Sequence, residues 1–173
     1  MKKLFFTFAF IFASICFISA EPAESSKSFV VTANSGHVTV TYDGEPIEYI
    51  SWTDKSDPTV VLTTFFISYL EQSEFWKDSV TNLGTSGKTK DSVIEKMQES
   101  YKNVYSRVDK LQITINPEKF SVNSGNSIDS ISTAMYKIKI TYVVGNDSDS
   151  GEDDVLMVKE KSSGNWFVSE LPL

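Results

Sequence analysis

Few residues in this chain are of types that do chemistry, and their spacing decides what each group can do. Gly87-Lys88-Thr89 matches the end of a phosphate-cradling loop, but Asn82 stands where that loop needs its first glycine. Such a loop also follows a strand, whereas the residues before this one have helical spacing. Residues 82–89 therefore read as a link between helices. Asp147, Asp149, Glu152, Asp153 and Asp154 cluster closely enough to suggest oxygen ligands for calcium. Counted from Asp147, however, the bidentate glutamate position of a calcium loop falls on Val158. The cluster reads instead as a solvated acidic hairpin loop that discourages edge pairing. Asn146-Asp147-Ser148 is formally a glycosylation sequon, idle behind a bacterial-type leader.

His37 is the single histidine, which removes multi-histidine metal sites and leaves at most one imidazole base, at the start of a hairpin strand. There is no Gly-x-Ser-x-Gly elbow, and Cys16 is the only cysteine. No catalytic residue, metal site or cofactor is assigned. What remains is aromatic: Tyr69, Trp76, Tyr101, Tyr105, Tyr136, Tyr142 and Trp166 fall on the inner faces of expected helices and strands. They either pack as core or line an apolar cleft, and Tyr69, Trp76, Tyr101, Tyr136 and Trp166 are the candidate pocket lining.

The start of the chain sets the compartment. Met1-Lys2-Lys3, an uncharged apolar run to Ala20, and then Glu21-Pro22 make a secretory signal peptide over residues 1–20. An uncleaved anchor is the rival, but Glu21 gives no stop-transfer flank. Lipidation at Cys16 is another, with bulky Ile15 where a small side chain is usual. The expected location is secreted or periplasmic, with no membrane span after cleavage. Cys16 leaves with the leader, so no disulfide can form. The whole chain carries a formal charge of −7, and losing Lys2 and Lys3 makes the remainder more acidic. That argues against nucleic acid and anionic membrane surfaces, which require a basic footprint.

The positioning elements follow in order. Residues 21–28 read as a flexible linker. Residues 29–52 read as a small β extension: a hairpin around Asn34-Ser35-Gly36, a turn at Asp43-Gly44, and a third short strand over 47–52. Asp57-Pro58 is a helix start, with Val61, Leu62, Phe65, Phe66, Tyr69 and Leu70 at helical spacing after it. Phe75, Trp76, Val80 and Leu83 continue that spacing to Gly84. Residues 92–105 read as an amphipathic helix opened by a Ser92/Glu95 capping box. Leu111, Ile113 and Ile115 alternate until Asn116-Pro117 ends the strand, Phe120 and Val122 begin a further piece, and 123–130 is a loop. The organising stretch is 133–171, where Tyr136, Ile138, Ile140, Tyr142 and Val144 alternate with Lys137, Lys139 and Thr141. A second run at 155–161, a Gly164-Asn165 turn and Trp166-Phe167-Val168 complete an antiparallel meander with one wet face.

That order, with its closing charged strand, Gly-Asn-Trp turn and short apolar strand, resembles the nuclear transport factor 2-like superfamily, especially its small secreted and lipid-anchored bacterial members. The resemblance covers about 57–171. It implies an α+β fold in which helices pack on a curved, cone-like antiparallel sheet over 53–173, with 29–52 as an added β element. Enzymes of that superfamily, isomerases and dehydratases, use an Asp, a Tyr or a His-Asp pair inside the cone, and no catalytic residue carries over here. The expected function is a secreted non-catalytic binding or accessory module, its small apolar ligand held between the helix 57–70 and the strand 136–144. The alternatives are an envelope-associated module whose partner is another envelope protein, and an isomerase/dehydratase-like enzyme.

Overall fold

The computed structural model describes residues 27–47, 54–85, 87–124 and 130–171. The expected signal peptide and most of the expected strand over 47–52 lie outside these residues. Strands β1 (Phe29–Asn34) and β2 (His37–Tyr42) form a hairpin in which Asn34 faces His37. Ser35 and Gly36 both have positive φ, 48° and 85°, which matches the connecting twist to that of the strands. Asp43-Gly44 repeats the device before the two-residue strand β3 (Glu45–Pro46).

Helix α1 (Pro58–Leu70) starts where Asp57 Oδ1 accepts from the Thr59 and Val60 amides at 2.7 and 3.3 Å, with Pro58 in the first turn. It is buried almost all round. Its polar residues survive burial by returning hydroxyls to the helix: Thr63 donates to the Thr59 carbonyl at 2.8 Å and Ser68 to that of Thr64 at 3.1 Å. Gln72, at φ 56°, ends the run. The expected continuation through Leu83 is shorter and tighter, a 3₁₀ segment Glu74–Ser79, after which Val80 is extended and bridges Val168 in parallel. Helix α2 (Lys90–Asn103) begins two residues before Ser92, with a capping box between Thr89 and Ser92 rather than Ser92 and Glu95. Only Val93 and Met97 of α2 are fully buried, and the Tyr69 hydroxyl donates to the Met97 carbonyl at 2.6 Å, tying the helices together.

Strands β4 (Lys110–Ser124), β5 (Ser130–Val144), β6 (Asp147–Glu160) and β7 (Trp166–Glu170) complete one antiparallel seven-stranded sheet of order β3-β2-β1-β4-β5-β6-β7. The fold is α+β. Strand β1 pairs with β4 from Phe29↔Ile115 to Asn34↔Lys110, so β1–β3 extend the same sheet as the C-terminal meander. Asn116-Pro117 does not end β4; the strand continues through a register shift between Ile115 and Phe120, because the lost proline N–H is absorbed as an irregularity. The acidic stretch is not a loop. Val144 pairs with Asp147 across Gly145-Asn146, and Gly145 supplies the positive φ of 60° that a two-residue turn needs.

One face of the sheet and the helices share a single apolar core, in which Leu62, Phe65, Phe66, Ile113, Ile138 and Met157 are sealed. Strand β7 is stitched to the helical half: the Trp166 amide donates to the Lys55 carbonyl, and the Thr81 amide to the Val168 carbonyl, both at 2.9 Å. Among the described residues no helix is long and apolar enough to cross a membrane.

Candidate functional site

The expected cleft between α1 and residues 136–144 is filled. Thr59 and Tyr136 hydrogen-bond through their hydroxyls across it, and Tyr136 is 1% exposed. Tyr69 is the hub of the aromatic cluster: it stacks on Phe65 at 5.4 Å and meets Trp76, Tyr101 and Tyr105 edge-on at 5.4–5.7 Å. The structure thus brings Tyr69, Trp76 and Tyr101 together, while Tyr136 and Trp166 occupy other parts of the core. Four of these five residues are buried, and Tyr101 alone borders one of the spaces described next.

Open space appears further along the sheet, where the helical roof ends. Helix α2 stops at Asn103, Val104 caps it, and a 3₁₀ turn Tyr105–Arg107 descends towards β4. Asp109 anchors this descent to the β5–β6 turn: its amide donates to the Val143 carbonyl at 2.8 Å, and its carboxylate accepts from the Gly145 amide at 2.6 Å. Tyr105, Val108 and Leu111 then form a divider with a cavity on each side.

The first, about 230 Å³, has walls of Val104, Tyr105, Val108, Leu111, Ile140 and Tyr142, with Gly151 and Asp153 at its β6 side. The second, about 220 Å³, is more polar, bounded by the Asn34–Gly36 turn, Tyr101 and Asp109. Val104 is 51% exposed and Tyr142 38%, so the first cavity opens to solvent through apolar lips. Gly151 pairs with Ile140, and a Cβ there would meet nothing within 4 Å; its missing side chain leaves the floor open.

Alternate residues of β6 share the cavity's face, because partners across a ladder point the same way. Asp147, Asp149, Gly151 and Asp153 lie opposite Val144, Tyr142, Ile140 and Ile138. The Tyr142 hydroxyl donates to Asp149 at 3.0 Å, and that carboxylate holds the phenol pKa above its ordinary value. Burial pushes the Tyr105 phenol up to about 12, with the Asp153 charge adding to the shift. The two hydroxyl groups of Ser100 and Ser106 are spent on helix carbonyls, of Lys96 at 3.0 Å and Lys102 at 2.8 Å. His37 lies in the exposed end of β2.

Among the described residues the buried polar side chains are threonines and serines, and no three His, Cys, Asp or Glu converge to hold a metal. Asp147, Asp149 and Asp153 share one face of β6 but are spread along it, and Glu152 and Asp154 lie on the other face, which keeps the carboxylates from converging. What the arrangement can do is hold an apolar group next to negative charge. Sequence reasoning named Tyr142 as inward-facing but missed Val104, Ile140 and Gly151 as one site. Gly151 inside an alternating acidic run was the available signal, since glycine in a strand often marks a place where something approaches closely.

Comparison with known proteins finds no matching family model, no matching curated protein and no matching solved structure.

Proposed function

We propose that this chain is a secreted or periplasmic, non-catalytic binding module of the nuclear transport factor 2-like kind, its sheet curled around the helices and β1–β3 added to that plan. Its ligand is a small apolar molecule taken into the groove beneath the end of α2. The observation that carries this reading is the mismatch between roof and floor: the helix ends while the apolar stripe of β5 continues. Ile140 is only partly covered, and Val104 and Tyr142 stand exposed at the lips. Large apolar side chains in solvent are stabilised when something covers them, by about 25 cal/mol per Å². The cavity is smaller than the ~300–1,000 Å³ typical of drug-sized sites, which fits a compact ligand or the end of a longer one. The leader-like residues 1–20 support secretion, and the helix–helix–sheet order with its terminal Trp166 turn supports the family likeness.

The test uses 1-octanol as a neutral apolar probe, followed by calorimetry and by the amide and side-chain NMR shifts of the full chain. Saturable binding with shifts concentrated at Val104, Tyr105, Ile140 and Gly151 is expected. Absence of binding at millimolar probe, or shifts spread without a centre, removes the reading.

A further inference from the structure

On the reading that the groove binds ligand, its surroundings go further and define the charge of that ligand. Two rows run side by side on the helix-facing side of the sheet. Strand β5 presents Ile138, Ile140, Tyr142 and Val144; strand β6 presents Asp153, Gly151, Asp149 and Asp147 directly opposite them. The acidic row is broken only at Gly151, where the cavity lies. Among the described residues lining that cavity there is no lysine or arginine. The strand's basic neighbours, Lys137 and Lys139, alternate onto the opposite face, where Lys137 lies 3.5 Å from Asp154. The carboxylates on the groove's side are therefore not neutralised by the lysines of β5.

We infer that the groove selects a monocationic amphiphile, an alkyl- or arylalkyl-ammonium, with its apolar body beneath Val104 and Tyr105 and its cationic head against Asp153, while Asp149 farther along the same row adds attraction from a distance. The apolar walls supply affinity without regard to charge. The carboxylate row supplies the sign, since like charge next to it is penalised and opposite charge attracted. Tyr105 and Tyr142 suit the same occupant, because aromatic faces attract ammonium groups within about 6 Å of the ring centroid.

Octylammonium and octanoate below their micelle concentrations, and 1-octanol below its solubility limit, separate the charge from the apolar term. Octylammonium should bind the full chain about five- to ten-fold more tightly than octanol, and octanoate most weakly, a spread appropriate to solvent-exposed charge pairs. The order should compress at high salt. Asp149→Asn with Asp153→Asn should bring octylammonium to the affinity of octanol. Asp154→Asn, on the other face of the same strand, should leave the preference intact. All the substituted side chains are exposed, and an unchanged thermal midpoint verifies folding. Octanol binding as tightly as octylammonium, or a preference that survives the double variant or vanishes equally in Asp154→Asn, overturns the inference while leaving an apolar site in place. Failure of all three probes to bind overturns both the inference and the reading beneath it.

Discussion

Gly151→Val tests the groove most directly. Valine at this position adds three carbons to the face shared with Ile140, into space where a Cβ meets no atom within 4 Å. Two effects of opposite sign follow. The strand gains, because glycine in a strand interior is disfavoured and valine suits a half-buried pleated surface, together worth about 0.5–1 kcal/mol. For a domain of this size that raises the thermal midpoint by roughly 1–4 °C. The ligand loses, because three buried carbons displace about as many of its own. At about 0.8 kcal/mol per methylene the loss is about 2.4 kcal/mol, or roughly fifty-fold in Kd. Differential scanning fluorimetry and calorimetry with 1-octanol read the two effects separately. A variant that is stabilised yet binds octanol as the parent does would place the ligand elsewhere. A variant that loses several degrees would mean that the space opposite Ile140 is occupied, and the cavity argument would fall with it.

Three other outcomes are expected. Tyr136→Phe strands the buried Thr59 hydroxyl and should cost about 1–2 kcal/mol in chemical denaturation, much of it recovered when Thr59→Val is added. Thr89→Ala should cost about 1 kcal/mol through loss of the α2 cap while Glu95→Ala stays near neutral; the reverse would favour the Ser92/Glu95 box. Tyr105 and Tyr136 both have folded pKa values raised from 10.0 to about 12 by burial, and Tyr69 is raised further for the same reason. Protons are thus held more tightly in the folded state, so this contribution is intact below pH 10 and lost as pH climbs from 10 through 12. Circular dichroism and phenolate absorbance should change together over that interval; phenolate appearing fully below it with the fold intact would contradict the burial.

The sequence carried the parts of this fold that depend on neighbours in the chain. Alternation at Tyr136–Ile138–Ile140 marks β5 because one face is dry and the other wet, and Asp57-Pro58 marks α1 because cap and proline act locally. The acidic half of β6 was illegible because Asp, Ser and Gly disfavour strands; pairing along the whole of β5 overrides that preference. Proline misled at Asn116-Pro117, where β4 tolerates an irregularity instead of stopping. The groove was least legible. Val104 falls in the apolar stripe of the helix expected over 92–105 and reads as core, yet it is left in solvent because α2 ends before the strand beneath it does. That is a relation between two separately encoded lengths, and no local pattern records it.

Strand β7 follows every other described element yet supplies the wall against which residues encoded much earlier close. Lys55 at the entrance to α1 and Val80–Thr81 after the 3₁₀ segment both bond to it, and Trp166 and Val168 face the same core as Phe65 and Trp76. Vectorial synthesis therefore delivers the helices long before their seat exists. The domain's cooperative closure awaits Trp166–Glu170, and a chain truncated before them would remain open.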